Sequence, residues 1–257
     1  MAEAPLLELK GVSKHFGAVQ ALSDVDFEVR AGEVMALVGD NGAGKSTLIK
    51  GVAGIYPFDE GETWVDGKRV EIHGPRDAAA LGIEIVYQDL ALADNLDVVA
   101  NMYLGRETVS SFRRLNEISM EQESLKTLDS LSVTTIRSVR QQVASLSGGQ
   151  RQAVAVAKAV MWNSRLVILD EPTAALGVAQ TRQVLDLTRR LANRGLGVVV
   201  ISHNLHDIFE VSDRITVLRL GYKVALLNAA DTSQQEVVHA ITAGTLDHVP
   251  GMAEEQG

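Results

Sequence analysis

The stretch that most constrains this chain is residues 33–47, where the apolar run EVMALVG leads straight into GDNGAGKST. A short continuous apolar run ending in glycine is the pattern of a strand buried on both faces. Gly39, Asp40, Asn41, Gly42, Ala43, Gly44, Lys45, Ser46 and Thr47 then spell a glycine-rich loop of the form G-x-x-x-x-G-K-S that opens a helix. That strand-to-helix setting is what makes the pattern specific. The glycines let backbone N–H groups surround phosphates, Lys45 can reach the terminal phosphate oxygens, and the Ser46 hydroxyl can take a Mg²⁺ position.

The rest of the chain supplies a sheet around that strand. Leu7 and Leu9, then Val25, Phe27 and Val29, alternate with the period of half-buried antiparallel strands. TWVDGKRV (63–70) reads as a hairpin turning at Asp66 and Gly67, and IEIVYQ (83–88) as an apolar strand ending in Gln88. Between Asp94 and Leu131 the spacing is helical and no good strand occurs, so residues 89–159 are expected to form an inserted helical subdomain. Strand patterns return at RLVILD (165–170) and GVVVIS (197–202), separated by a helix over 178–195 that closes on Gly195. Strands alternating with helices imply a parallel α/β sheet. DRITVLRLGYKVALL (213–227) reads as a closing hairpin and TSQQEVVHAIT (232–242) as a last helix, with overlapping capping boxes at Thr232/Gln235 and Ser233/Glu236. GMAEEQG (251–257) has the composition of a frayed tail.

Several strand ends carry reactive groups. LVILD ends in Asp170, placed to hold Mg²⁺ directly or through water. Glu171 follows at once, and a carboxylate beside a metal-binding one is a natural general base for an attacking water. Gln88 could reach both metal and water, which gives Ser46, Gln88 and Asp170 as the metal-site candidates. His203 lies just past another strand, at the edge where parallel α/β sheets bind ligands. A second anion seat is the surprise. LSGGQRQAVAVAKAV (146–160) places Ser147, Gly148, Gly149 and Gln150 at the start of an apolar-patterned helix, whose free N–H groups and positive dipole end suit a phosphate.

The order GDNGAGKST, Gln88, LSGGQ, LVILDE, His203 resembles the ATP-binding cassette (ABC) ATPases, from about Leu7 to Ile241. The resemblance implies a P-loop NTPase (RecA-like) core with an antiparallel β subdomain and an inserted α-helical signature subdomain. The whole of 1–257 would be one domain, 1–88 and 160–257 forming the nucleotide-binding core and 89–159 the helical part. It also implies ATP and Mg²⁺ as ligands, Glu171 as catalytic base, Gln88 as the Q-loop residue and His203 as the switch histidine at the γ-phosphate. Phe16, in KHFGAVQ, sits where the family places an aromatic ring against adenine. In such ATPases LSGGQ closes over the nucleotide of a second subunit, so two anion seats imply two chains with two composite sites, the chain pairing with itself as a homodimer or with a similar subunit. One position departs from the pattern: Gly177 ends Ala174-Ala175-Leu176-Gly177 where most of the family has Asp.

Composition narrows the setting. No stretch approaches the roughly 20 apolar residues of a membrane span, and MAEAPLLELK lacks the basic start of a signal peptide. With no cysteine the chain has neither disulfides nor thiolate metal sites. A formal charge of −9 argues against a nucleic-acid partner, and Arg113-Arg114 reads as solvated surface. Three readings compete: the ATPase of an importer, that of an exporter, and a soluble ABC ATPase. The importer leads, because exporters often fuse cassette and membrane domain, and the soluble class usually carries long insertions or two cassettes. YQDLALADNLDVVANMYLGRE (87–107) and ISHNLHDIFEVSDRITVLRLG (201–221) look like the bacterial monosaccharide importers of the ribose, galactose, xylose and fructose type. Membrane permease subunits and, through them, a sugar-binding protein are the implied partners, with the chain peripheral on the cytoplasmic face of the inner membrane. Leu90, Leu92, Leu96, Val98 and Val99 exceed what a small subdomain must bury, which suggests a groove for a short helix of the permease.

Overall fold

The computed structural model describes residues 4–109 and 114–244; the tail at 251–257 and Arg113 lie outside them. The apolar run after Glu33 forms strand β3 (Val34–Val38), buried at all five positions. Its side chains divide by parity. Val34, Ala36 and Val38 join one apolar cluster, while Met35 and Leu37 join another, as the two-residue period of a strand requires. A strand with no wet face belongs inside a covered sheet.

That sheet has six strands in the order β10-β9-β3-β8-β7-β6. β6 (Ile83–Val86), β7 (Leu166–Asp170), β8 (Gly197–Ile201) and β9 (Arg214–Arg219) run parallel to β3, and β10 (Tyr222–Asn228) returns antiparallel at the edge. A second, antiparallel sheet has the order β2-β1-β4-β5, from β1 (Leu7–Phe16), β2 (Val19–Val29), β4 (Glu60–Val65) and β5 (Lys68–Val70). The turn of the β4–β5 hairpin is Asp66-Gly67, as expected, with φ of 51° and 70°. Leu7, Leu9, Val25, Phe27 and Val29 all face the cluster that this sheet shares with Met35 and Leu37.

Helix α1 (Lys45–Val52) packs Leu48, Ile49 and Val52 into that same cluster. Helices α3 (Val98–Tyr103), α4 (Glu117–Ser130), α5 (Gly148–Val160) and α6 (Val178–Asn193) contribute to the cluster on the other face. α6 ends at a C-cap on Arg194, and Gly195 turns the chain at φ 89°. The final helix α8 (Gln234–Ala243) starts at Ser233, whose capping box with Glu236 prevails over the overlapping Thr232/Gln235 pair. Two short helices, α2 (Pro75–Ala80) and α7 (Leu205–Val211), have no clear apolar period in the sequence.

The stretch after Gln88 corrects an expectation. The helix begins at Val98, not near Asp94, because the fully buried Asn101 ties down the preceding turn. Its amide accepts from Ala93 N at 2.7 Å and donates to the carbonyls of Ala93, Leu96 and Asp97. Val98 and Val99 are 0% and 1% exposed and lie in the helical cluster, so they fill its core and do not line a docking groove. Leu90 and Leu92 pack half-buried against that cluster, and Leu96 is half-buried. Val99→Asp therefore destabilises the fold. An uncompensated buried charge costs about 3–5 kcal/mol, a drop of roughly 10 °C in melting temperature for a chain of this length. Leu96→Asp melts near the wild type, and thermal melts of the two variants make the comparison.

Candidate active site

All the parallel strands present their carboxyl ends at one edge, and the register aligns them. Leu37 pairs with Ile201, Asp170 with Ile201, and Val86 with Leu169. Residues 39, 87–88, 170–171 and 202–203 therefore come to the same level although they are far apart in sequence. This edge is where open parallel sheets bind ligands.

The glycine loop joins β3 to α1. A side chain at Gly39 would fall on the Leu218 carbonyl oxygen. At Gly44, which caps α1 with φ 105°, a Cβ would lie 2.7 Å from Leu22 Cδ2 and 2.8 Å from the Ala21 oxygen. No side chain caps α1, so the N–H groups of its first turn stay open to an anion. Ala43 N donates to the Asp40 carbonyl at 3.1 Å, and Asp40, Asn41, Gly42 and Ser46 are exposed. The turn between β9 and β10 braces the loop: Gly221 N donates to Ala43 O at 3.1 Å and Gly221 O accepts from Ser23 N at 2.9 Å. Sequence reading gave that hairpin no part in the site.

Lys45 arches over the loop, donating from Nζ to Gly39 O at 2.6 Å and Asp40 O at 2.9 Å. Burial lowers its pKa, and the carboxylates of Glu171, Asp40 and Asp170 pull it back up. The lysine thus senses both acids of a motif 125 positions downstream. Asp170, at the end of β7, has its pKa raised by burial and by Glu171, against Lys50 and Lys45. Such a carboxylate gains from a cation beside it. Tyr87 is also near, its pKa raised by burial and by Asp170. Gln88 lies two residues beyond the end of β6 rather than within the strand, exposed, and its side chain makes no hydrogen bond among the described residues.

Glu171 adopts φ 50°, a left-handed conformation uncommon for a residue with a side chain. Three bonds hold the segment. Glu171 N donates to Ile201 O at 2.9 Å, Ala174 N donates to Glu171 O at 3.1 Å, and the Thr173 hydroxyl donates to Asp207 Oδ2 at 2.7 Å. The Glu171 side chain is 16% exposed, and its Oε1 lies 3.0 Å from Nδ1 of His203, whose ring is 79% exposed. A carboxylate within hydrogen-bond reach of an imidazole is an arrangement that can orient and exchange protons.

Phe16 reaches the loop through a residue the sequence did not single out. Its ring meets Tyr56 edge to face at 5.2 Å, the Tyr56 hydroxyl donates to Thr47 O at 3.2 Å, and the Lys14 ammonium lies over both rings. Phe16 is 47% exposed and available for stacking.

The segment expected to form a second anion seat stands apart. Ser147 caps α5 in a full capping box with Gln150, and no hydrogen bond or ion pair links residues 147–150 to residues 39–47 among the described residues. A Cβ at Gly148 would lie 2.8 Å from Leu176, and one at Gly149 3.1 Å from Gln180, so these glycines let α5 approach the start of α6. Gly177 is the N-cap of α6 and offers no side-chain acceptor, which Asp would supply.

A phosphate loop opening a helix at the carboxyl edge of a parallel sheet, flanked by a strand ending in Asp, defines the P-loop class of nucleotide-binding α/β proteins. Residues 22–174 match the ABC transporter family, and the chain belongs to it. It is 44% identical to the fructose import ATP-binding protein of Rhizobium meliloti, over 94% of this chain and 95% of that protein. It is 47% identical to the xylose/arabinose import ATP-binding protein of Sulfolobus acidocaldarius, over 95% and 96%. Against the ribose import ATP-binding protein of Clostridium tetani the identity is 38%, over 96% of this chain and 49% of that longer protein. The fold is that of a nucleotide-free ATP-binding cassette from an ABC transporter, with TM-score 0.79 at 23% identity over 92% of this chain and 94% of the other. Membership of this family makes ATP the nucleotide.

Proposed function

We propose that this chain is the ATP-hydrolysing subunit of an ABC importer for a monosaccharide. The observation that carries hydrolysis is the 3.0 Å pairing of Glu171 with His203 beside the loop that holds Lys45. Import of a sugar rests on likeness, along nearly their whole length, to two ATP-binding proteins named for fructose and for xylose/arabinose import. No helix among the described residues is long and apolar enough to cross a membrane. In this reading permease subunits supply the channel and a sugar-binding protein supplies selectivity, with this chain peripheral on the cytoplasmic face. Residues 1–88 and 160–257 act as the nucleotide-binding core and 89–159 as the helical subdomain.

In this reading the N–H groups of residues 39–47 and the Lys45 ammonium hold the phosphates, and Phe16 stacks on the base. Ser46 and Asp170, with Gln88 within the same edge, are hard oxygen donors suited to Mg²⁺. No cluster of three or more His, Cys, Asp or Glu among the described residues forms a protein-only metal cage. That fits an ion which shares its shell with phosphates and water. When bound, Mg²⁺ neutralises charge on the phosphate oxygens. Glu171 takes a proton from the attacking water. With Nδ1 of His203 set against Glu171, the other ring nitrogen is left to face the phosphates, so His203 can orient the base and meet the γ-phosphate.

Residues 147–150 complete the site of a second copy. Mixed dimers of Lys45→Ala and Ser147→Arg subunits contain one site with both defects and one with neither, and they recover ATPase activity that both parents lack. Mixed dimers that form and hydrolyse no faster than the parents would overturn the head-to-tail arrangement. Uptake of labelled fructose, xylose, arabinose and ribose by cells whose own copy carries Glu171→Gln tests the transport reading: uptake of one sugar collapses, and unchanged uptake of every monosaccharide tried counts against it.

A further inference from the structure

Two carboxylates are buried among the described residues, and they differ in company. Glu33, 7% exposed, is ion-paired to Arg214. Asp207, 4% exposed, has no cation within 4.0 Å among the described residues; its side-chain partner is the Thr173 hydroxyl, at 2.7 Å. A buried carboxylate without a counter-charge is costly to keep and calls for a reason.

Its place in the chain supplies one. Asp207 is in the first turn of α7, four residues after His203, and Thr173 is two residues after Glu171. Beyond the backbone bond from Glu171 N to Ile201 O, the same two segments are thus tied by side chains twice, once by Glu171 and His203 at the exposed edge and once by Thr173 and Asp207 underneath. A pair with a 79% exposed imidazole cannot fix geometry by itself, whereas a short hydrogen bond to a buried carboxylate can. Glu171 also needs holding, since its backbone sits at φ 50°. We propose that Asp207 is a positioning residue, which through the Thr173 hydroxyl keeps the Glu171 carboxylate in register with His203. This rests on Glu171 being the base.

The test is steady-state ATP hydrolysis by the purified full chain, with Glu171→Gln assayed alongside. Thr173→Val keeps the shape and removes the donor, and Asp207→Ala removes the acceptor. Each lowers kcat about tenfold or more while KM for ATP moves less than twofold, and the double variant is no worse than the poorer single one. Thr173→Ser and Asp207→Asn retain a donor and an acceptor and restore most of the lost kcat. Thermal melts accompany the assays, and if Asp207→Ala does not fold, Thr173→Val and its Ser rescue carry the test. Folded Thr173→Val with wild-type kcat, a loss confined to KM, or Thr173→Ser no better than Thr173→Val overturns the proposal. If Glu171→Gln collapses while the Thr173 and Asp207 variants turn over normally, the positioning role alone fails; if Glu171→Gln keeps wild-type turnover, the base assignment fails first.

Discussion

Glu171→Gln binds ATP like the wild type and turns over about 10²–10⁴-fold more slowly, the range that a positioned general base contributes. The amide has the size of the carboxylate and can keep a hydrogen bond to Nδ1 of His203, now 3.0 Å away. The backbone at φ 50° and its bond to Ile201 O do not depend on the side chain's charge, so the turn keeps its shape. What disappears is the capacity to accept a proton from water. The loss therefore falls on kcat with KM for ATP preserved, the signature of an interaction made only in the transition state. Steady-state kinetics and calorimetric ATP binding on the same preparation separate the two, and the protein should accumulate as an ATP-bound dimer by size-exclusion chromatography. Wild-type turnover would remove Glu171 from the mechanism.

Lys45→Ala fails one step earlier, at binding. Charge-assisted hydrogen bonds contribute about 1.5–3 kcal/mol each. At about 1.4 kcal/mol per tenfold, each bond lost to phosphate weakens Kd for ATP by roughly 10- to 150-fold. A second effect adds to this, since Nζ holds the carbonyls of Gly39 and Asp40 and helps set the curve of the loop. The fold itself survives, because β3 is anchored by β8 and β9 and not by the lysine. Calorimetric titration with ATP decides the matter: near-normal affinity in a folded variant would show that the ammonium does not hold phosphate.

The parts of the site written as local patterns were legible in the sequence. The glycine loop, the acid pair at 170–171 and the start of α5 each depend on neighbours within a few residues, so spacing alone revealed them; the capping box that occupies that start was not foreseen. The hairpins at Asp66-Gly67 and Leu220-Gly221 were legible for the same reason. Contacts between distant segments were not. Nothing near Asp207 announces that its partner is Thr173, nothing near Tyr56 that it joins Phe16 to Thr47, and nothing near Gly221 that it braces Ala43. Val98 and Val99 misled for a related reason. A surplus of apolar residues on a short stretch reads alike whether it meets a partner or its own subdomain, and only the packing of α3 against α4 and α5 decided.

The strand order also dictates when the site can come into being. β3, which carries the phosphate loop, is hydrogen-bonded on one side to β8 and on the other to β9, both from the last quarter of the chain. During synthesis the loop emerges long before either neighbour, and its supporting strand has no sheet to join. Pairings this distant in sequence close slowly. Nucleotide therefore finds its complete seat only once β8 and β9 have joined β3. There it stabilises by mass action, about 2.7 kcal/mol at a hundredfold excess over Kd. ATP in excess over Kd thus protects the folded protein by holding its late-formed sheet together.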